Sequence, residues 1–290
     1  MTLSGRRQAA AELVRQFAVS ERRACRVLGV HRSSYRYRRG ARASEAICGA
    51  VVAKSEKHAY WGYRKIHNLV VGDGVAVGRE RVRVIRRREG LQLRRKVHKR
   101  RVPGASTELV PRALYPNHVW SYDFVFDGTE DGRTLKFLTI VDEFTRLDLG
   151  LPCRRGFTSA DVVRVLEALM ELWGRPRCIR SDNDSTFIAT SVRRWLEERI
   201  VGTHFIDPGS PWQNPYNESF NGIFRTTCLN RWSFATLTEA RIVTRAWQHE
   251  YNSIRPHGSL GGRSPLQFLY DWRADHPEIH TTMKIPESLT

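Results

Sequence analysis

The chain has 290 residues, 41% of them hydrophobic and 27% charged, with 21 Gly and 12 Pro; this is the make-up of a globular protein of about two domains and excludes collagen-like or low-complexity chains. Lys and Arg number 48 against 30 Asp and Glu, a net charge of +18 that attracts polyanions and favours nucleic acid as the partner. No run approaches the roughly 20 apolar residues of a membrane-spanning helix, Met1 to Ala18 lacks an apolar signal core, and the five cysteines form no C-x-x-C pair, so reduced thiols and a cytoplasmic location are expected.

The charge is uneven. Residues 1–112 hold 28 Lys and Arg against 8 Asp and Glu, whereas the remainder holds 20 against 22. Pro103-Gly104 and Pro111 punctuate the change and place a boundary near Thr107 to Pro116. Of the 48 cations 41 are Arg, the side chain suited to bidentate phosphate contact.

From Arg6 to Phe17, Ala10, Leu13, Val14 and Phe17 recur at helical spacing; Ser20 then caps a helix over Glu21 to Leu28 that Gly29 ends. A short basic segment follows from Arg32 to Arg39, with Arg32 and Arg36 as candidate phosphate contacts. Helix, glycine turn and basic helix make a helix-turn-helix pattern, and a plain helical hairpin with a solvated basic face satisfies it equally.

A second unit runs from Tyr60 to His67, with Ile66, Leu69 and Val70 as one stripe, and turns at Gly72-Asp73-Gly74. Arg79 to Glu89 is then expected as a helix with Val82 and Ile85 inward, Arg83, Arg86, Arg87 and Arg88 outward, and Gly90 as its cap. Arg64, Lys65, Arg83 and Arg87 are its candidate DNA contacts. Arg94 to Arg101, including Arg95 and Lys96, reads as a phosphate-binding arm or a soluble linker.

Beyond the boundary, Val119 to Phe126 reads as a strand with Asp123 in its middle, and a buried unpaired carboxylate is costly enough to imply a partner or a cation. Asp131-Gly132-Arg133 turns the chain into strands over Leu135–Val141 and Leu147–Leu151, an antiparallel meander. Thr158-Ser159 caps a helix from Ala160 to Trp173, and Arg177 to Asn183 is a short strand ending in Asp182. Helix Val192–Arg199 and strand Thr203–Ile206 complete a sheet with crossover helices. After the break at Pro208 to Pro211, a helix from Gln213 to Leu229 carries Glu218, Gly222 and Arg225 on one face.

Three carboxylates on separate elements, Asp123, Asp182 and Glu218, suit two-metal phosphoryl transfer, since acidic oxygens are what Mg²⁺ prefers; 35 residues separate the last two. Each acid taken singly also fits a cap, a turn or a surface charge.

The chain resembles an orfB-type transposase of the insertion-sequence-three family, relatives of retroviral integrases. The matching stretches are Arg22 to Tyr37, Tyr60 to His67, Asn117 to Phe124, Ile179 to Asn183, Pro211 to Asn214, Glu218 to Gly222, and Tyr251 to Leu260 with Pro265. The resemblance implies an α/β fold: a ribonuclease-H-like catalytic core, a mixed sheet with flanking helices, preceded by a basic all-α helix-turn-helix-like region. The expected parts are residues 1–44, a second helical unit and linker over 45–112, the core over 113–274 and a tail over 275–290.

The resemblance also implies that Asp123, Asp182 and Glu218 hold two Mg²⁺, with Mn²⁺ able to substitute, and that Arg225 contacts DNA phosphate. The implied reaction is metal-dependent cleavage at the ends of an insertion element, followed by attack of the freed 3′-OH on another phosphodiester. Tyr122, Ser121 and Ser181 are assigned to packing or orientation rather than to nucleophilic roles. Trp212 stacks on a base or packs, Arg255 is a further candidate DNA contact, and His257 beside it approaches the DNA or stabilises a turn.

The expected partners are double-stranded DNA, an upstream-frame protein, separate or fused to this chain, and further copies of the chain assembled on DNA, with no membrane. Two departures from the family pattern stand out: Asp184 where Gly is usual, and Thr226-Thr227 where Asp-Glu is common. Asp184 keeps open the reading as a catalytically decayed DNA-binding remnant, and a nuclease acting on structured nucleic acid stays open because the same fold and metal chemistry hydrolyse without joining.

Overall fold

The computed structural model describes residues 2–36, 45–93, 112–181, 184–187, 189–206 and 214–277. The chain forms two compact units, Met1–Ala50 and Val51–Thr290.

In the first unit, α1 (Leu3–Phe17) is capped by Thr2, and α2 (Glu21–Val27) by the Ser20 hydroxyl, which accepts the Arg23 amide. Gly29 then takes φ +60°, the left-handed conformation that the expected turn requires, before α3 (Arg32–Arg36). Ala10, Ala24, Cys25 and Val30 form its small core. At the start of α3 the His31 ring accepts the Ser33 amide. The division between the units falls inside α4 (Glu45–Lys57), a helix with no clean apolar stripe in the sequence.

In the second unit, α5 (Tyr63–Gly72) and α6 (Arg79–Arg88) pack through Ile66, Val70, Val82 and Ile85. One expectation is corrected here: Arg86 points inward, only 3% exposed. It lies four residues after Val82 and so only about 40° round the helix, on the packed side.

The core sheet comprises β1 (Val119–Gly128), β2 (Thr134–Asp142), β3 (Asp148–Gly150), β4 (Cys153–Arg154), β5 (Cys178–Ser181) and β6 (Gly202–Phe205). Its order is β3-β2-β1-β5-β6, with β4 also on β2. β1, β2 and β3 pair antiparallel as the meander, whereas β5 and β6 run parallel to β1, reached through α7 (Ser159–Trp173) and α8 (Thr190–Glu198). A full capping box of Thr158 and Asp161 starts α7. Gly150 lets that helix approach closely, because a Cβ there would sit 3.0 Å from Leu169. This mixed sheet flanked by helices is the ribonuclease-H-like architecture.

Strand alternation divides β1 between two apolar layers. Trp120, Tyr122 and Phe124 pack with Val162, Leu166, Phe187 and Val192 under α7 and α8. Val125 packs on the other face with Phe220, Phe224 and Trp247, contributed by α9 (Pro215–Thr227) and α10 (Leu237–His249). Asp123 has the parity of Val125 and therefore faces α9. A π-helical turn, Glu250–Ile254, and α11 (Pro265–Asp275) close the fold. Among the described residues no helix is long and apolar enough to cross a membrane.

Candidate active site

Asp123 is half-buried in the middle of β1, opposite Thr139 of β2. Its Oδ2 accepts from Asn221 Nδ2 at 2.7 Å, and its Oδ1 accepts the Phe124 amide at 2.7 Å. Thr139 Oγ1 donates to the Asp123 carbonyl or to Asn217 Oδ1, at 3.1 and 3.2 Å. Asn217 and Asn221 are one helical turn apart, so α9 is stitched to β1 and β2 along a polar seam. Glu218 lies in the first turn of α9, three residues before Asn221, exposed and with no side-chain hydrogen bond or ion pair to any described residue. The strand of Asp123 and the helix of Glu218 are thus held together by a side chain that the sequence reading did not single out. A neutral amide carries no charge pattern to betray it; its sequence signals are its place three residues after Glu218 and within the family-like stretch Glu218 to Gly222.

Asp182, Arg95, Lys96 and Trp212 lie outside the described residues. The strand leading to Asp182 is anchored two residues earlier, where Arg180 Nη1 lies 3.1 Å from the Glu143 carboxylate with both side chains buried. Burial pushes the Glu143 carboxyl up to about 7 in spite of the Arg180 charge. Among the described residues no three His, Cys, Asp or Glu side chains form a metal-binding group. The donor set nonetheless fits a hard divalent cation, with one carboxylate oriented by an amide and a second unengaged at the surface of the adjoining helix.

The two family departures have local roles. Asp184 Oδ1 accepts the Thr186 amide at 2.8 Å and its carbonyl accepts the Phe187 amide, forming a turn. Thr227 Oγ1 accepts from the Trp247 indole at 2.9 Å, in the layer beneath α9. Tyr122 and Ser121 are buried, the former edge-on to Phe187, as packing residues are.

The candidate DNA contacts divide by exposure. Arg32, Arg36, Arg64, Arg83, Arg87 and Arg225 are exposed. Arg36 pairs with Glu21, Arg64 lies beside the Tyr63 ring, Arg83 pairs with Glu80, and Arg225 donates to the Phe126 carbonyl of β1. Arg255 is 7% exposed, with its guanidinium 5.6 Å from the Trp61 ring centroid. His257 beside it is buried, its amide bonded to the Arg263 carbonyl, and burial with the Arg255 charge lowers its pKa to about 3, so it is neutral. The Arg255 stack belongs to a seam joining the 51–93 segment to the core. In that seam Tyr60 and His58 both bond Glu250, and Asn68 bonds the Gly262 carbonyl.

Lys65 is half-buried in the same seam, its Nζ 5.9 Å from the Trp61 ring centroid, and burial reinforced by the Arg255 charge lowers its pKa to about 7. The folded state therefore binds fewer protons than the unfolded chain from about pH 7 to 10.5, so this residue makes stability rise with pH over that interval. Thermal unfolding of wild type and Lys65→Met at pH 7 and pH 9 is expected to show the variant gaining less from the pH increase; equal gains refute this.

Asn221→Ala frees the Asp123 carboxylate from its orienting donor, and loss of such a supporting contact reduces metal affinity or activity by about 10- to 100-fold. Single-turnover DNA cleavage at varied Mg²⁺ checks it, with partial recovery at high Mg²⁺ expected and unchanged cleavage contradicting the role.

Comparison with known proteins agrees with the architecture. Two integrase core domain models match the chain, over residues 113–211 and 199–265. The chain is 35% identical over 269 residues to an uncharacterized 39.2 kDa protein of insertion element IS476 from Xanthomonas euvesicatoria, covering 92% of this chain and 78% of that protein. It is 26% identical over 226 residues to the transposase for insertion sequence element IS629 from Shigella sonnei, covering 73% and 74% of the two chains. Among solved structures, the HTLV-2 integrase catalytic core domain in complex with magnesium is similar at 20% identity, over 54% of this chain and 99% of that one, with a TM-score of 0.45. With a sheet of this topology, matched integrase core models over 113–265 and an insertion-element relative aligned along most of both chains, the protein belongs to the insertion-sequence transposases with a DDE-type integrase core.

Proposed function

We propose that this transposase cuts phosphodiesters at the ends of its insertion element and transfers the freed 3′-OH to a second phosphodiester, with Asp123, Asp182 and Glu218 as the ligands of two Mg²⁺ ions. The observation that carries the reading is the Asn221 to Asp123 hydrogen bond, which ties the helix of Glu218 to the strand of Asp123. Two such cations, when bound, activate the attacking oxygen and neutralise charge on the leaving one. The protein's own contribution is positional. Asn221 turns one carboxylate, Asn217 and Thr139 fix the helix against the sheet, and the Arg180–Glu143 pair holds the strand that leads to Asp182.

The basic first part of the chain supplies the attraction for duplex DNA. Assembly of several copies on DNA and fusion with an upstream-frame protein complete the proposal, since two element ends must be held for joining. A labelled duplex carrying the element's terminal repeat, incubated with increasing Mg²⁺, tests the reaction: cut strands and joined products are expected. Cut strands that never join identify a nuclease, and binding without cutting, even with the upstream partner supplied, identifies a DNA-binding remnant.

A further inference from the structure

The inward-facing Arg86 is unusual in its company. A buried guanidinium ordinarily has a carboxylate beside it, because an uncompensated charge is expensive to desolvate. Arg86, at 3% exposure, has no ion pair with any described residue. Its Nη2 donates to the Leu91 carbonyl at 2.7 Å, while its Nε has no hydrogen-bond partner among the described residues. The side chain lines a cleft of about 190 Å³ shared with Gly62, Tyr63, Arg83, Arg87 and Gln92. Gly62 and Tyr63 are the cap and first residue of α5, a ten-residue helix that begins with no side-chain cap, so its positive end is left for an outside acceptor. Arg83 and Arg87 are exposed at the same cleft, with Glu80 bonded to Arg83 and Glu89 paired with Arg88. An unpartnered buried donor, an uncapped helix start and two further guanidinium groups around one small cleft are complementary to a tetrahedral oxyanion.

We propose that this cleft seats one backbone phosphate of duplex DNA, with Arg86 as the floor of the seat, the start of α5 as one wall and Arg87 with Arg83 at its mouth. The inference rests on the reading of the chain as acting on DNA, and adds a phosphate site outside the three carboxylates. It separates Arg86, held in place by the helix pair, from surface arginines that contribute only to the general field. Burial lowers the Arg86 pKa from its ordinary value, as expected of a guanidinium awaiting an anion. A seat of this kind contributes affinity without base preference and fixes where the 51–93 helices lie on the duplex.

The test is the salt dependence of duplex binding by the full chain without divalent cations, for wild type, Arg86→Gln, Arg87→Gln and, as a control for lost charge alone, Arg245→Gln on α10. Each phosphate contact contributes about 0.9 to the slope of log K against log[salt]. Arg86→Gln and Arg87→Gln are expected to lower the slope by about one and to weaken unrelated duplexes alike, with Arg245→Gln changing neither. Circular dichroism establishes that each variant is folded, and Arg86→Lys, which keeps the charge, is expected to recover part of the slope should Arg86→Gln prove poorly folded. An unchanged slope in folded Arg86→Gln and Arg87→Gln overturns the seat, as does an equal fall in Arg245→Gln.

Inorganic phosphate separates the two sources of the anion. Raised thermal stability with phosphate in wild type and not in Arg86→Gln, together with an unchanged duplex slope, makes the cleft a free-phosphate site and overturns the assignment to DNA. Wild type that binds no duplex removes the DNA reading and the seat together, whereas wild type that binds while Arg86→Gln keeps its slope removes the seat alone.

Discussion

Glu218→Gln is expected to abolish strand cleavage and joining while leaving duplex binding intact. The substitution keeps the size and the hydrogen-bonding shape of an exposed side chain in the first turn of α9, so folding is unaffected. In the proposed site it removes one anionic ligand, a carboxylate with no side-chain hydrogen bond or ion pair to any described residue. Removal of one preorganised electrostatic group costs about 10²- to 10³-fold in rate, and loss of a metal ligand is expected at or beyond that range. Filter binding and single-turnover cleavage on the same duplex report both properties. Cleavage retained within tenfold of wild type means that Glu218 is a surface acid and that the catalytic assignment is wrong.

Arg180→Met carries the second large effect, on stability. It leaves Glu143 buried opposite an apolar side chain, and breaking a buried pair by removing one partner costs about 3 to 5 kcal/mol. The sign of its pH dependence follows from Glu143. Burial already raises that carboxyl to about 7, and losing the Arg180 charge raises it further, so the native state binds more protons than the unfolded chain above the ordinary carboxylate range. Stability of the variant is therefore lost as pH rises, and its deficit against wild type is larger at pH 8 than at pH 5. Urea unfolding at the two pH values measures it. A deficit independent of pH contradicts the ionic account, and Arg180→Met combined with Glu143→Leu is expected to recover much of the loss.

Much of the core was legible because its signals are local. The alternation of Val119 to Phe126 marked β1, the Thr158-Ser159 start marked α7, and Asp123 and Glu218 stood out as acids at a strand centre and on a helix. The remainder has no local signature. Glu250 meets His58 and Tyr60 across about 190 residues, and the spacing of apolar residues says nothing of such a partnership. The same seam takes Arg255 out of solvent: a cation read from sequence as a DNA contact here stacks against Trp61, because a long apolar stem with a planar head packs well on an indole. Arg86 shows the same limit in reverse, since residue type pointed outward where helix geometry pointed in. The helices α4, α10 and α11 had no assignment in the sequence reading. In α4, Ile47, Val51 and Val52 share the helix with Gly49 and with polar residues on most sides, so no single stripe emerges.

Asp184 and Thr227 bear on activity through their contacts. Asp184 spends one carboxylate oxygen on the Thr186 amide, in a turn that follows β5, and Thr227 supports Trp247 beneath α9. Those contacts give each substitution a local structural role.

In the proposed reading, Asp123, Asp182 and Glu218 together form a divalent-cation site on DNA. Mn²⁺ titration of the protein–duplex complex, followed by electron paramagnetic resonance, tests it most directly and without relying on turnover. Two ions bound per active site in wild type, with binding lost or sharply weakened in Asp123→Asn and in Glu218→Gln, is the predicted result. Mn²⁺ binding identical in wild type and both variants contradicts it.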